Sequence, residues 1–194
     1  MPKIESPFVR KDIGSQYVVT PEINPDCAWV FTDPDVRAVE KLDGTNVSIL
    51  VCGGVPTRIQ NRSNEIAFFS GSPIVDCLLH SLERDWIPKQ DGQWFGEAVG
   101  PKIQANPLKL PRLWMPFNLA FERLAYTSWH KHPKTFENIS SWFKDHLFSL
   151  AHRKYAEKDE GLSAEGVVFT HPDGRMAKLR RDMFDWWEGA RHKD

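Results

Sequence analysis

Apolar and polar residues alternate over several short stretches of the chain, and a two-residue period predicts strands. Arg37 to Glu40 and Asn46 to Val51 read as two strand segments around an Asp43-Gly44 turn, the second placing Val47, Ile49 and Val51 on one face. Cys52-Gly53-Gly54 turns the chain into a further strand, Val55 to Gln60, whose Pro56 marks a start or an edge. A different period follows. Ile74, Leu78, Leu82 and Trp86 recur four apart, predicting a packing helix over Pro73 to Trp86. Short apolar runs at Gln93 to Glu97 and Phe117 to Phe121 suggest central strands. Apolar residues at 139, 143, 147, 150 and 151 predict a helix from Ile139 to Tyr155, capped by Ser140 or Ser141. Near the end, Glu165 to Thr170 and Arg175 to Arg180 flank the turn sequence His171-Pro172-Asp173-Gly174, which predicts a hairpin.

The chain has 194 residues, 41% of them apolar and 26% charged, with a formal net charge of −1. That balance predicts one globular domain spanning 1–194 and excludes a disordered acidic or basic chain. Glycines and prolines are spread as punctuation, so no internal boundary is expected. No stretch approaches the roughly 20 continuous apolar residues of a membrane span, and Met1-Pro2-Lys3-Ile4-Glu5 lacks a secretory apolar core. The expected location is therefore the cytoplasm, with no membrane partner. Cys27, Cys52 and Cys77 lack the paired spacing of a zinc site and read as reduced structural thiols.

Near-neutral charge argues against a grip on nucleic acid by bulk charge, but its distribution matters more than its sum. Between Val99 and Lys134 there are six basic residues (Lys102, Lys109, Arg112, Arg123, Lys131, Lys134) against one acid, Glu122. Taken alone, such a run is a solvated surface. The segment Glu40-Lys41-Leu42-Asp43-Gly44-Thr45-Asn46 sets a lysine at a strand end with a tight turn directly after it, a placement that can point an amine into a cleft.

Six strings lie in order along the chain: Lys41-Leu42-Asp43-Gly44, Gln60-Asn61-Arg62-Ser63, Phe95-Gly96-Glu97, Ala120-Phe121-Glu122, Glu165-Gly166-Val167-Val168 and Lys178-Leu179-Arg180. Together they resemble the motifs of the covalent nucleotidyltransferase superfamily of ATP-dependent ligases and messenger RNA capping enzymes. Lys-x-x-Gly-Thr-Asn at Lys41 to Asn46, and the run from Phe95 to Gln104, are most similar to the nick-sealing branch of RNA ligases. The resemblance implies a single α+β nucleotidyltransferase domain, an ATP-grasp-like ligase catalytic core with antiparallel sheets around an ATP cleft and helices outside.

It also implies roles. Lys41 would attack the ATP α-phosphorus, release pyrophosphate and pass AMP to an RNA 5′-phosphate, after which a 3′-hydroxyl expels AMP. A free lysine has a pKa of about 10.4, so the amine needs help from its site at neutral pH. On an extended strand Lys178 and Arg180 point to one face, where they would disfavour a third positive charge and hold the α-phosphate. Glu97 maps to the acid that contacts ribose, and Glu165 to the acid that organises Mg²⁺ or Mn²⁺, through water. Phe121 would stack on adenine while packing behind it, and Arg62 would hold ribose or substrate phosphate. Glu40 would help define the adenine site through its backbone, with Thr45 and Asn46 assisting at the nucleotide and the strand. Lys102, Lys109 and Arg112 become candidates for RNA phosphates, whereas Trp186 and Trp187 are expected to pack onto the domain.

Two departures from the family pattern stand out. Only 14 residues of the sequence follow Arg180, so no OB-fold or helical carboxy-terminal domain is expected, and the resemblance supports lysine adenylylation more firmly than end joining. Arginine also stands at 180 where lysine is usual, and the two are not interchangeable at a phosphate. The expected partner is RNA with 3′-hydroxyl and 5′-phosphate ends, most simply a nicked duplex, handled by a monomer with a helper protein in place of the missing domain. The alternatives are a minimal ATP-dependent DNA ligase, a capping guanylyltransferase, and a non-catalytic nucleotide- or RNA-binding module of the same fold.

Overall fold

The computed structural model describes residues 4–14, 16–61, 64–68 and 71–191. In chain order its elements are β1 (Phe8–Asp12), β2 (Tyr17–Ile23), α1 (Trp29–Thr32), β3 (Arg37–Lys41), β4 (Thr45–Cys52), β5 (Val55–Asn61), β6 (Asn64–Ile66), α2 (Pro73–Glu83), β7 (Gly92–Val99), β8 (Leu113–Pro116), α3 (Phe117–Arg123), α4 (Phe136–Ser141), α5 (Leu150–Tyr155), β9 (Gly166–Thr170) and β10 (Met176–Arg180). Every pairing between these strands is antiparallel. The class is α+β, as the resemblance implied, and among the described residues no sheet closes into an OB barrel. No described helix is long and apolar enough to cross a membrane.

The chain divides into two compact units, each assembled from separate stretches. The first comprises Met1–Lys41, Ala125–Ser149 and Ser163–Asp194; the second comprises Leu42–Leu124 and Leu150–Leu162. In the first, a β1-β2 ribbon accompanies a three-stranded sheet of order β10-β9-β3. Ala38, Val167, Phe169, Ala177 and Leu179 share one face of that sheet and bury against Phe8, Val30, Trp129, Ile139, Phe143 and Phe184. Trp186 joins this core, stacked on Phe184 and donating its indole N–H to Ser140 at 2.8 Å, as expected of a terminal aromatic that packs.

The expected hairpin is present. His171 N–H donates to Arg175 O at 3.1 Å and Gly174 N–H to His171 O at 3.0 Å. The Arg175 backbone N–H, with His171 and the Arg175 guanidinium, holds the Asp173 carboxyl down at about 2. Because that value is depressed, the contribution of this carboxylate to the turn is complete above the ordinary Asp range and is lost as pH falls toward 2.

The second unit carries a five-stranded sheet of order β6-β5-β4-β7-β8. Val47, Ile49, Val51, Ile59 and Ala98 form its buried face and pack with Ile74, Val75, Cys77 and Leu78 of α2. Ser72 caps α2 by accepting the Ile74 N–H at 3.2 Å, and Pro73 opens the first turn where no donor is needed. The helix stops at Glu83, short of the expected Trp86, and Leu82 is 55% exposed. A repeat of four residues drifts about 40° per step around a helix, so the stripe that starts at Ile74 passes to Ser81 instead. Ser81 is fully buried, donating to Trp114 O at 2.9 Å and accepting Trp114 N–H at 2.8 Å. Gly96 makes room for the Trp114 ring, which reaches over to donate to Val47 O; a Cβ at Gly96 would lie 2.5 Å from Met115 O and 2.7 Å from the indole.

Two expected elements are corrected. The run Phe117 to Phe121 is helix α3, and the strand is the four residues before it. Pro116 has no N–H with which to extend a ladder, and Leu, Ala, Glu and Arg after it favour a helix. The expected helix from Ile139 to Tyr155 is broken. It begins earlier, under a Thr135 cap that accepts Asn138 N–H at 3.3 Å, so neither Ser140 nor Ser141 caps it. α4 then passes through a π turn at Trp142–His146, and the backbone leaves helical geometry at Leu147. There Leu147 O accepts Ala164 N–H at 2.9 Å and Phe148 bridges Ser163, pairings that replace the helical ladder. Ile139, Phe143 and Leu147 remain buried, so the apolar repeat reported the packed face and not helix continuity.

Cys27 and Cys77 are buried, whereas Cys52 is exposed, which limits the structural-thiol reading to the first two; none is disulfide-bonded. Burial pushes the Cys77 thiol up to about 11. Iodoacetamide at neutral pH should therefore label Cys52 in the folded protein and reach Cys27 and Cys77 only in denaturant, a pattern read by peptide mass spectrometry. Ser81→Ala should destabilise the second unit by about 2 kcal/mol or more, because both Trp114 backbone groups lose their partner, as measured by urea unfolding.

Candidate functional site

In the first unit, β9 lies between β3 and β10, and the register aligns Lys41 with Gly166 and Gly166 with Arg180. The next row of the same parity aligns Val39, Val168 and Lys178. Directly paired residues of antiparallel strands point to one face, so Lys41, Lys178 and Arg180 belong to a common face of the sheet. Two strand spacings put the Lys41 and Arg180 backbones roughly 10 Å apart. Glycine at 166 is a packing requirement: a Cβ there would lie 2.3 Å from Leu179 O and 2.8 Å from Arg180 Cα.

Glu165 stands just before β9 and is anchored by its own carbonyl, which accepts Arg181 N–H at 2.9 Å. Its side chain turns to Lys41, whose Nζ donates to Oε2 at 2.6 Å, with both side chains mostly sheltered from solvent. The proposed nucleophile and the proposed metal acid are thus in direct contact across 124 residues of sequence.

Arg180 is buried, and its Nε donates to Asp182 Oδ1 at 2.8 Å. This gives a physical account of arginine at this position: a planar, permanently charged guanidinium suits a buried pairing with a fixed carboxylate better than a lysine amine does. Glu40, only 3% exposed, points away from Lys41 by strand alternation and accepts the Ser149 hydroxyl at 2.5 Å. Asp182 and Ser149 were not anticipated. Asp182 had a signal, two residues beyond the basic pair, but Ser149 lies in the unforeseen helix break and had none.

The second unit holds the remaining candidates. Asn46 pairs with Glu97, and Glu97 with Met115, so Asn46 and Glu97 are neighbours on the sheet face opposite Val47 and Ala98. Gln104 Nε2 lies 3.5 Å from Thr45 Oγ1. Phe121 is half-buried, on a helix and not on the expected strand. Lys102 is exposed, while Lys109 pairs with Glu160 at 2.5 Å and Arg112 Nε lies 3.7 Å from Asp76. Arg62 lies outside the described residues. The structure therefore groups Glu40, Lys41, Glu165, Lys178 and Arg180 in one unit, and Thr45, Asn46, Glu97, Lys102, Lys109, Arg112 and Phe121 in the other.

The antiparallel α+β scaffold is the fold class that the nucleotidyltransferase resemblance implied, and it brings the candidate Lys41, Glu165 and Arg180 to one sheet. The chain belongs to the RNA ligase family, whose model matches residues 34–185. Among solved structures it resembles Naegleria gruberi RNA ligase with PPi, with a TM-score of 0.52 at 16% identity over 93% of this chain and 61% of that one. A lysine-to-alanine variant of the same ligase with ATP and Mn gives a TM-score of 0.51 at 16% identity, over 93% and 62%. The likeness is one of fold, and this chain spans about three-fifths of the length of those proteins. No curated protein matches it in sequence.

Gly166→Ala should lower the unfolding free energy by about 1–3 kcal/mol, since the new methyl meets backbone that must move. Chemical denaturation of the purified variant measures it.

Proposed function

We propose that this protein is an ATP-dependent RNA ligase that joins 3′-hydroxyl and 5′-phosphate ends through an AMP bonded to Lys41. The observation that carries this reading is the 2.6 Å contact of Lys41 Nζ with Glu165, beside the Lys41-Gly166-Arg180 row. Before attack, the amine must give up a proton, and the Glu165 carboxylate already accepts a hydrogen bond from it. The nitrogen lone pair then forms an N–P bond to the α-phosphorus while the bond to pyrophosphate breaks. Lys178 and Arg180 offset the charge on the phosphoryl oxygens and the departing pyrophosphate. In the second step an RNA 5′-phosphate oxygen displaces Lys41, which recovers a proton. In the third, the 3′-hydroxyl displaces AMP.

Glu97 accepts hydrogen bonds from ribose hydroxyls, and Asn46 beside it offers an amide to the nucleotide or the strand. Phe121 supplies an aromatic wall for adenine, Glu40 bounds the base through its backbone, and Arg62 and Thr45 serve the phosphates. Glu165 suits a hard divalent cation: it is a carboxylate of low exposure that already faces a cationic group. Mg²⁺ or Mn²⁺ held there through water would neutralise charge on the transferring phosphate. The N. gruberi structures with PPi and with ATP and Mn support this choice of nucleotide and metal.

The Lys41 to Asn46 and Phe95 to Gln104 strings resemble the nick-sealing branch of RNA ligases, so a nicked RNA duplex is the proposed substrate, with Lys102, Lys109 and Arg112 facing its phosphates. The proposed activity would serve RNA repair in the cytoplasm. Incubation with ATP and Mg²⁺ should add about 329 Da, one AMP residue, to the intact protein, as covalent catalysis requires. Lys41→Ala should abolish the adduct, and the loaded protein should seal nicked RNA faster than nicked DNA. No adduct on the parent protein overturns the proposal, and an adduct that never reaches any nucleic acid overturns its ligase part.

A further inference from the structure

Within the second unit, the segments 101–111 and 156–160 wall an open cavity of about 570 Å³, with Lys102, Gln104 and Lys109 on one side and Glu157, Lys158 and Glu160 on the other. At its base lies His152 of α5, 1% exposed, with both ring nitrogens engaged. Nδ1 is 2.8 Å from the Leu108 carbonyl oxygen, and Nε2 is 2.9 Å from the Glu160 backbone nitrogen. A carbonyl only accepts and a backbone N–H only donates, so these two partners select one tautomer, with Nδ1 as donor and Nε2 as acceptor. The ring ties one wall to the other. Lys109 and Glu160 repeat the tie nearer solvent, at 2.5 Å.

The loop on the first wall needs such a tie. Lys102, Gln104, Asn106 and Lys109 have φ of 69°, 44°, 45° and 49°, left-handed values that disfavour any residue with a Cβ. Asn106 is partly compensated, because its side chain bonds both backbone groups of Leu110 at 3.0 Å. Strain of this kind persists only when surrounding contacts over-determine the backbone. Leu108 and Leu110 are buried, and the Leu108 carbonyl is the group that His152 holds.

We infer that His152 is a positioning residue that holds the 101–110 loop in the shape in which Lys102 and Lys109 meet RNA phosphates; the functional half of this inference rests on the ligase reading above. His152 touches neither nucleotide nor strand in this scheme. It acts through the loop, so its loss weakens RNA binding and leaves Lys41 chemistry alone.

Three measurements on the full chain test the inference. Long-range ¹H–¹⁵N NMR at neutral pH should show the Nδ1–H tautomer of His152; the Nε2–H tautomer or an imidazolium overturns it. In His152→Phe, amide exchange across 101–110 and at Glu160 should quicken, and the dissociation constant for nicked RNA should rise about tenfold, the scale of one buried hydrogen bond. The rate of AMP loading on Lys41 should stay at the parent value, and His152→Asn, which keeps a donor toward Leu108, should restore part of the affinity. Unchanged RNA affinity in a variant with quickened exchange overturns the inference, as does an equal loss of AMP loading. Should His152→Phe fail to fold, the tautomer and His152→Asn still decide. If the parent protein binds no RNA, the ligase reading fails, while NMR and exchange still report on the tie.

Discussion

Antiparallel register across β3, β9 and β10 is the constraint on which the proposed chemistry depends. It brings residue 41 beside 166 and 166 beside 180, and side-chain direction follows from pairing alone. A slip of one residue would send the Lys41 amine into the face that holds Val167 and Leu179, and would bring Glu40 out in its place. Several features hold the register. Gly166 admits the close approach of β10, Arg181 N–H clasps the Glu165 carbonyl, and the alternate residues on the buried face fit a core of Phe8, Trp129, Phe143 and Phe184.

Charge is arranged around that sheet in pairs of differing availability. The Arg180–Asp182 pair is buried, which makes it a fixture: breaking a buried ion pair by removing one member is strongly destabilising. Glu40 is likewise settled, by a serine hydroxyl. Lys41 and Glu165 retain some solvent access, which is what the proposed exchange with an incoming nucleotide or cation requires. The sheet thus carries a buried, fixed pair beside one that keeps some access to solvent.

Much of this was legible in the chain. The strands β3, β4, β5, β9 and β10 follow from turn-bounded strand patterns and β7 from a short apolar run, while the motif strings singled out Lys41 and Glu165 separately, and their direct contact is visible only in the fold. The misses have physical causes. Phe117 to Phe121 is too short an apolar run for periodicity to separate strand from helix, and Pro116 decides it. The break after Ser141 depends on pairing with residues 163 and 164, which no local window contains. Ser149 and Asp182 are ordinary polar residues in sequence, and they acquire meaning only through what they hold. The His152 tie is invisible for the same reason, since both of its partners are backbone groups.

The serine under β8 has one more consequence. β8 is the outermost strand of its sheet, and a bare outer strand offers N–H and C=O groups on which a foreign strand can assemble. At Trp114 both of those groups are consumed by a single side chain from α2. At that residue the rim of the sheet has no backbone group left for a foreign strand to pair with, so a packing detail also blunts the edge of the sheet.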